Sequence, residues 1–248
     1  MSSNLNLKVK IFADGADKNS MLSMYQKSYI KGFTTNPTLM RLAGIVNYKA
    51  FAKQILSLIT DRPISFEVFA DDFETMHRQA LEIASWGDNV YVKIPITNTR
   101  GDSSVPLVHQ LAEAGVKLNV TALMTLKQVQ EVSLAIGHLV PANISVFAGR
   151  IADTGRDPVP LMSEAVQLMS RFPDQELIWA SPRELLNVFQ ADEIGCHIIT
   201  VTPDVLKKLE LVGKCLDEYS LETVKMFRRD AIAAGFSLLE ERAEEAMA

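Results

Sequence analysis

Short apolar runs alternate with longer amphipathic stretches along the chain. Eight runs have the length and residue types of buried β-strands: residues 9–14 (VKIFAD), 32–36 (GFTTN), 64–69 (ISFEVF), 90–96 (VYVKIPI), 117–123 (KLNVTAL), 143–151 (NISVFAGRI), 176–181 (ELIWAS) and 197–202 (HIITVT). The stretches between them repeat apolar residues at steps of three and four, most clearly over residues 47–60, 74–87, 105–115 and 160–172. Such spacing is typical of amphipathic helices. The pattern therefore predicts strands that alternate with helices.

Eight strand–helix units in one chain of 248 residues indicate an α/β protein with a single (β/α)8 TIM barrel. A doubly wound open sheet is the structural alternative. No linker rich in proline, glycine or serine divides the chain, so we expect one barrel domain over residues 1–219. Residues 220–248 are predicted to form a charged C-terminal helical extension that either packs across one end of the barrel or reaches a neighbouring subunit.

Composition narrows the classes of partner. The chain is 48% hydrophobic and 22% charged, as soluble globular proteins are, and its net charge is −5 without a basic stripe, which disfavours nucleic acid and anionic membranes as partners. Cys196 and Cys215 are predicted to be reduced thiols, and the four histidines lack the spacing of metal ligands, so no metal is expected. The first ten residues lack the apolar core of a signal peptide and no apolar run approaches membrane-spanning length, so we expect a cytoplasmic protein.

Polar residues cluster near the C-terminal ends of the predicted strands, where barrel enzymes carry their chemistry. The set comprises Asp14, Thr34, Thr35, Asn36, Glu67, Lys93, Asn119, Thr121, Ser145, Arg150, Ser181 and Arg183. Strand periodicity does not require these residues, because valine would serve at most of these positions. Two of them also have plain structural explanations: Asp14 could cap the following helix, and Lys93 could form a structural ion pair with Glu67 on the adjacent strand.

Lys93 is the most informative member of the set, because it stands in an otherwise apolar strand. Loss of hydration at the mouth of a barrel favours the neutral amine, which is the form that attacks a ketone or aldehyde to give a Schiff base. The protonated imine then acts as an electron sink, so that the adjacent C–C bond can break or form. Asp14 and Glu67 are placed to move the protons that this chemistry requires.

Six motifs, GFTTNPTLM, FEVF, VYVKIPIT, LNVTAL, SVFAGRIAD and WASPRE, occur in an order that resembles the transaldolase family, which includes the short fructose-6-phosphate aldolases. The resemblance covers about residues 9–212. It implies a (β/α)8 barrel with class I aldolase chemistry, no metal and no organic cofactor. It also implies phosphorylated sugar substrates and a place in the pentose phosphate pathway.

The resemblance assigns roles motif by motif. Lys93 resembles the Schiff-base lysine, Asp14 resembles the acid/base for the sugar hydroxyl, and Glu67 with Thr121 resembles the pair that holds the water for proton transfer at the imine. The positions that resemble binders of the dihydroxyacetone hydroxyls are Asn36, Asn119 and Ser145, and those that resemble the phosphate site are Arg150, Ser181 and Arg183. Thr35 and Phe147 complete the expected substrate-binding set.

Two positions distinguish the branches of the family. Glu67 and Phe147 stand where transaldolases carry glutamate and phenylalanine, whereas the fructose-6-phosphate aldolases carry glutamine and tyrosine. The short chain is shared by the aldolases and the small transaldolases, and Val146 and Pro182 depart from the usual motifs beside the substrate. The sequence thus favours transfer of a dihydroxyacetone unit. An aldolase that releases free dihydroxyacetone and a phosphosugar-binding barrel without C–C chemistry are the alternatives.

The C-terminal extension contains apolar residues that need a surface: Val224, Phe227, Ile232, Phe236 and Leu239. Short members of the resembled family are commonly oligomeric through this tail. The resemblance therefore implies a homo-oligomer.

Overall fold

A computed structural model of the chain describes residues 6–238. The first of two compact units, which ends at Lys208, contains eight parallel strands that form a closed barrel in chain order. The strands are β1 (Lys10–Asp14), β2 (Ile30–Thr34), β3 (Ile64–Glu67), β4 (Val90–Pro95), β5 (Leu118–Leu123), β6 (Ala142–Val146), β7 (Gln175–Trp179) and β8 (Ile198–Val201). Pairing of β1 with both β2 and β8 closes the barrel, which confirms the predicted fold and excludes the open sheet.

Helices follow the strands around the barrel. They are α1 (Lys18–Tyr25), α2 (Pro37–Leu42), α3 (Tyr48–Leu58), α4 (Phe73–Ala84), α5 (Val105–Glu113), α6 (Leu126–Ile136), α7 (Ala148–Ala152), α8 (Val159–Met169), α9 (Leu186–Glu193) and α10 (Pro203–Leu206), and a 3₁₀ helix (Lys207–Leu211) comes next. Side chains cap several of them: Asn47 accepts a hydrogen bond from the Ala50 amide at the start of α3, and Asp72 accepts one from the Thr75 amide at the start of α4. The four predicted helices correspond to α3, α4, α5 and α8.

The sixth predicted strand is too long. It was expected to extend to Ile151, but β6 ends at Val146 and Arg150 lies on α7. The Phe147 amide donates to the Leu123 carbonyl (2.8 Å), and the chain then turns into the helix. Apolar residues continue through the turn because Ala148 and Ile151 are buried on α7, and a continuous apolar run does not distinguish this from a longer strand.

The strand register brings the polar residues of neighbouring strands side by side. Asp14 lies opposite Thr34, Glu67 lies opposite Lys93, and Lys93 lies opposite Asn119. Because all eight strands are parallel, their C-terminal ends meet at one end of the barrel.

Most strand residues are buried, and most of these buried residues are apolar. Phe12, Ile178, Ala180 and Ile198 form one buried cluster, and the half-buried Phe147 packs against it. Burial on both faces is typical of parallel strands covered by helices.

The second compact unit begins at Leu209 and contains α11 (Leu216–Ala233). Its apolar side chains are exposed, with Val224 at 59%, Phe227 at 63% and Phe236 at 78%. The domain boundary predicted at 219/220 falls within α11. Leu239 and the rest of the predicted extension, residues 239–248, lie outside the described residues.

Two further observations concern the general class of protein. Cys196 is buried, Cys215 is exposed, and both are free thiols. Within residues 6–238, no helix is long and apolar enough to span a membrane.

Candidate active site

Lys93 lies on β4 with only 7% of its surface exposed. Its Nζ donates a hydrogen bond to the Thr35 carbonyl (3.2 Å) and forms an ion pair with Glu67 Oε2 (3.4 Å). The ion pair is the one that a purely structural explanation of Lys93 expects. A structural pair does not require a second carboxyl nearby, however, and the Asp14 carboxyl also lies close enough for its pKa to be lowered by the charge on Lys93.

Asp14 is the last residue of β1 and does not cap the following helix, because Asp17 caps α1 by accepting from the Ser20 amide. The Thr34 hydroxyl donates to Asp14 Oδ1 (2.8 Å), and the Thr200 hydroxyl of β8 contacts that of Thr34. Burial raises the pKa of Asp14, and Lys93 and Thr34 counteract this only in part. A carboxyl whose pKa is raised in this way keeps its proton to higher pH than a free aspartate, which is a property of groups that transfer protons.

Glu67 ends β3 and faces Lys93 across the strand pair. Burial raises the pKa of Glu67, the charge and the hydrogen bond of Lys93 lower it, and the neighbouring Asp14 raises it further. The charge of Asp14 thus acts on Glu67, and the charge of Lys93 acts on both carboxyls. Such coupled carboxyls occur at sites of proton transfer.

A chain of buried hydrogen bonds runs across the barrel interior at the level of Lys93. The Asn119 amide group donates to the Ser65 hydroxyl (2.9 Å), and the Ser145 hydroxyl donates to Asn119 Oδ1 (2.7 Å). These residues belong to β3, β5 and β6, so the chain spans β4 from one side to the other. Asn119 thus lies opposite Lys93 with its side chain held by hydrogen bonds on both sides, and Ser145 is joined to it.

Thr121 is placed on β5 opposite Pro95 of β4. Its side chain is buried, and the hydroxyl has no hydrogen-bond partner among the described residues. Buried hydroxyls are usually paired, so this one has unused capacity to bind water or substrate. The next residue, Ala122, has a left-handed backbone (φ 66°) at a break in the pairing of β5 with β6. Such strain in a residue other than glycine is often found at functional sites.

Arg150 and Arg183 lie at the same end of the barrel but differ in their partners. Arg183 makes a bidentate ion pair with Asp153, which follows α7, and this pair raises the pKa of Arg183 and lowers that of Asp153. The exposed guanidinium of Arg150 lies 6.0 Å from the centre of the Phe147 ring. The site therefore offers Arg183, which is paired directly with Asp153, and Arg150, which lies over an aromatic ring and whose charge also helps to lower the pKa of Asp153.

Gly149 and Ser181 bring the two arginine segments together. A Cβ atom on Gly149 would lie 1.5 Å from the Ser181 carbonyl oxygen, so only glycine permits this approach. Ser181 itself has a left-handed backbone (φ 59°). The two segments are thus joined by backbone contact, which fixes the spacing of Arg150 and Arg183.

The remaining predicted residues are placed as follows. The Asn36 side chain caps α2 by accepting from the Leu39 amide (2.9 Å), which leaves its NH2 group available. Thr35 is fully buried and its hydroxyl donates to the Ser65 carbonyl (2.8 Å). Its side chain therefore links β2 to β3, while its carbonyl accepts from Lys93. Phe147 is half-buried beside Arg150. The structure therefore brings the predicted set to one end of the barrel, with Thr35 as a supporting residue.

Four residues of the site were not singled out from the sequence: Tyr48, Ser65, Asp153 and Thr200. Thr200 carried the same signal as Lys93, a polar residue in an apolar strand. Asp153 stands three positions after Arg150. Tyr48 gave no signal, because its hydroxyl reaches Glu67 only through the tertiary fold.

The arrangement combines the buried Lys93, two nearby carboxyls with raised pKa and two arginines at the same end of the barrel. An amine that forms an imine needs groups that exchange protons with it, and carboxyls at the positions of Glu67 and Asp14 are chemically suited to that task. Among the described residues, no three His, Cys, Asp or Glu side chains are grouped as metal ligands.

Comparison with known proteins gives a consistent result. The model of the transaldolase/fructose-6-phosphate aldolase family matches residues 11–238. A probable transaldolase of Dehalococcoides mccartyi is 33% identical over 203 residues, which cover 81% of this chain and 90% of that protein. A probable transaldolase of a Thermoanaerobacter species is 32% identical over 231 residues, which cover 93% of this chain and all of that protein.

Solved structures match at the level of the fold. The 3-keto-L-gulonate-6-phosphate decarboxylase of Vibrio cholerae superposes with a TM-score of 0.53 at 10% identity, over 79% of this chain and 88% of that one. The orotidine 5'-monophosphate decarboxylase of Metallosphaera sedula gives a TM-score of 0.52 at 14% identity, over 85% of this chain and 98% of that one. At such low identity the likeness shows a shared barrel and nothing about activity.

Proposed function

The chain belongs to the transaldolase/fructose-6-phosphate aldolase family, and we propose that it transfers a dihydroxyacetone unit from a ketose phosphate to an aldose phosphate through a Schiff base on Lys93. The observation that carries this proposal is the buried Lys93 amine, which is ion-paired with Glu67 and close to the charge of Asp14. A barrel that only bound or isomerised phosphosugars would not need this combination. The reaction belongs in the pentose phosphate pathway.

The proposed reaction begins when the Lys93 ammonium gives a proton to its partner Glu67 and the resulting neutral amine attacks the ketose carbonyl. The carbinolamine loses water to form the imine, with Glu67 and the Thr121 hydroxyl holding the water that exchanges protons there. Asp14 then takes the proton of the sugar hydroxyl as the C–C bond breaks. The electron pair of that bond enters the protonated imine to give an enamine, and the other fragment leaves as an aldose phosphate. Attack of the enamine on the acceptor aldehyde forms the new C–C bond, Asp14 returns a proton to the new hydroxyl, and hydrolysis frees Lys93.

Binding of the substrate is assigned to the two sides of this centre. Asn36, Asn119 and Ser145 are proposed to bind the hydroxyls of the dihydroxyacetone unit. Arg150 and Arg183 are proposed to bind the phosphate with Ser181, since guanidinium groups pair well with phosphate oxygens.

Two residues support transfer rather than release: Glu67, because it is the residue type of the transaldolase branch, and Phe147, because of its effect on water. An enamine that must wait for an acceptor is lost if it is protonated and the imine is hydrolysed. Phe147 packs against the core and has no hydroxyl with which to hold a water beside the imine. The site therefore favours transfer. An aldolase that releases free dihydroxyacetone is the second candidate, because the family includes both activities.

The decisive experiment measures ketose phosphate cleavage with and without an aldehyde phosphate acceptor. We expect cleavage to depend strongly on the acceptor in the unmodified enzyme. Phe147→Tyr and Glu67→Gln should each increase the share of acceptor-independent release, and Glu67→Gln should also change the pH profile because one titrating group is lost. Equal rates with and without acceptor in the unmodified enzyme would reject transfer and favour the aldolase. The absence of a borohydride-trapped adduct on the Lys93 peptide would reject imine chemistry.

We also propose a homo-oligomer formed through the C-terminal segment. The exposed apolar side chains of α11, among them Val224 and Phe227, support it, because they form an apolar surface that a partner subunit would bury. Removal of residues 220–248 should lower the assembly state or the solubility. A monomer in light scattering at micromolar concentration would contradict the proposal.

A further inference from the structure

Tyr48 makes two hydrogen bonds to the backbone of one residue of the candidate active site. The Glu67 amide donates to the Tyr48 hydroxyl oxygen (2.8 Å), and the Tyr48 hydroxyl donates to the Glu67 carbonyl (3.0 Å). Tyr48 is the first residue of α3, and the Asn47 cap fixes where that helix begins. The position of the hydroxyl is thus set by a helix outside the barrel.

The two hydrogen bonds take the place of those that a longer β2 would make with Glu67. Pairing of β2 with β3 is limited to Phe33 with Ile64 and Thr34 with Ser65, and β2 ends at Thr34. In a parallel sheet, the amide and carbonyl of one residue point toward the same neighbouring strand. The Glu67 groups on the β2 side therefore extend beyond the last residue of that strand, and the Tyr48 hydroxyl satisfies both of them.

The Tyr48 ring is held in place by its neighbours. Its centre lies 6.3 Å from that of Phe66, 5.7 Å from Phe69 and 5.9 Å from Trp86. Burial raises the pKa of Tyr48, so the hydroxyl remains protonated at working pH and keeps its ability to donate to Glu67. A fixed ring with a permanent donor is well suited to hold a strand end.

We propose that Tyr48 is a positioning residue that holds Glu67 against Lys93. The inference rests on the proposed function, in which Glu67 exchanges protons at the imine. Glu67 Oε2 lies 3.4 Å from Lys93 Nζ, and the Glu67 side chain is attached to the backbone that Tyr48 binds. Without the hydroxyl, the end of β3 loses both partners on its β2 side, and the carboxyl loses its fixed distance to the amine.

The test is Tyr48→Phe, which keeps the ring and removes the hydroxyl. We expect kcat to fall by about tenfold or more while KM changes less than about twofold, because small displacements of a catalytic group reduce the rate steeply. Two opposing effects act on the Glu67 pKa: a weaker contact with Lys93 raises it, and water that enters beside a loosened β3 lowers it. Burial is the larger of the two causes, so the net change should be a lower pKa. The acid limb of the kcat profile should therefore move to lower pH.

The matched control is Tyr25→Phe. Tyr25 donates one hydrogen bond to Asp61, and its ring lies 4.5 Å from the Arg62 guanidinium. Asp61 and Arg62 precede the first residue of β3, so this contact lies at the N-terminal end of the strands, opposite the candidate site. The Tyr25→Phe variant loses a phenol hydroxyl without touching Glu67. Its kcat and pH profile should match those of the unmodified enzyme, and thermal unfolding shows whether either variant has lost its fold.

Two measurements separate the positioning role from general stability. In a Glu67→Gln background, Tyr48→Phe should have a much smaller effect on kcat, because residues that act together are not additive; additive losses would overturn the inference. Titration of the Glu67 carboxyl by ¹³C NMR should give a lower pKa in Tyr48→Phe, and an unchanged pKa would also overturn it. This titration does not require turnover. It therefore tests the positioning of Glu67 by Tyr48 even if no borohydride-trapped adduct forms and the proposed function is rejected.

Discussion

Replacement of Gly149 by alanine should displace the backbone of the proposed anion site. The new Cβ would lie 1.5 Å from the Ser181 carbonyl oxygen and 2.6 Å from its carbonyl carbon. Since close C···O contacts in proteins are about 3.3 Å, the gap must widen by about 1.8 Å. Both atoms are backbone atoms, so a change of rotamer cannot relieve the overlap.

The displacement should separate Arg150 from Arg183, because the contact between Gly149 and Ser181 fixes the spacing of their segments. A misplacement of about 1 Å can cost about a hundredfold in rate, so kcat/KM for phosphorylated ketoses should fall by about a hundredfold or more. Cleavage of an unphosphorylated ketose does not use the anion site and should change far less. Steady-state kinetics with both kinds of substrate measure the difference.

Gly87→Ala is the matched control for this substitution. A Cβ on Gly87 meets only side-chain atoms, the nearest being Asn89 Oδ1 at 3.2 Å, in the connection between α4 and β4 at the N-terminal end of the strands. It should leave the ratio of the two activities unchanged. The reasoning is refuted if Gly149→Ala remains folded and reduces both activities equally, or if it leaves activity toward phosphorylated ketoses intact.

Three further predictions concern single side chains. Lys93→Ala and Lys93→Arg should lower turnover more than about a thousandfold with the circular dichroism spectrum unchanged, because neither side chain forms an imine; residual activity above that level would remove Lys93 from the role. Arg150→Ala and Arg183→Ala should raise KM for phosphorylated sugars far more than for dihydroxyacetone, because each substitution removes about 1.5–3 kcal/mol of binding free energy to the phosphate. Equal losses for both substrates would mark the arginines as structural. Asp14→Asn should abolish turnover yet raise the melting temperature at neutral pH, because burial raises the Asp14 pKa and disfavours its ionised form in the folded state. This gain should vanish below about pH 4, where the carboxyl is protonated in both states, and a lower melting temperature at neutral pH would contradict it.

The fold could be predicted because each local pattern agrees with the barrel. Buried parallel strands give continuous apolar runs, and the helices that cover them give steps of three and four. The same rule fails after Val146, where β6 ends and α7 begins with apolar residues on both sides of Phe147 and the charged Arg150 lies inside the helix. The turn depends on the approach of Gly149 to Ser181, which is a tertiary contact and leaves only a single glycine in the sequence.

The candidate site could be predicted as far as strand topology determines it. Lys93 was expected to lie beside Glu67 because the two stand on adjacent strands, and their register agrees; the register also places Asn119 opposite Lys93. Contacts made by helices and connections could not be predicted in this way. Tyr48 contacts Glu67 from α3, and Asp153, which follows α7, contacts Arg183 in the connection after β7. These partners therefore depend on how the helices and connections pack.

Closure of the barrel has a consequence for the synthesis of the protein. β1 pairs with β8, and the Val9 amide donates to Asp192, 183 positions further along the chain. While the ribosome adds these residues, one edge of β1 has no strand to pair with, and unpaired edges are sites of aggregation. Contacts so distant in sequence also form slowly. We therefore expect the yield of folded protein in a cell to be limited by chaperone supply during translation rather than by the stability of the finished barrel.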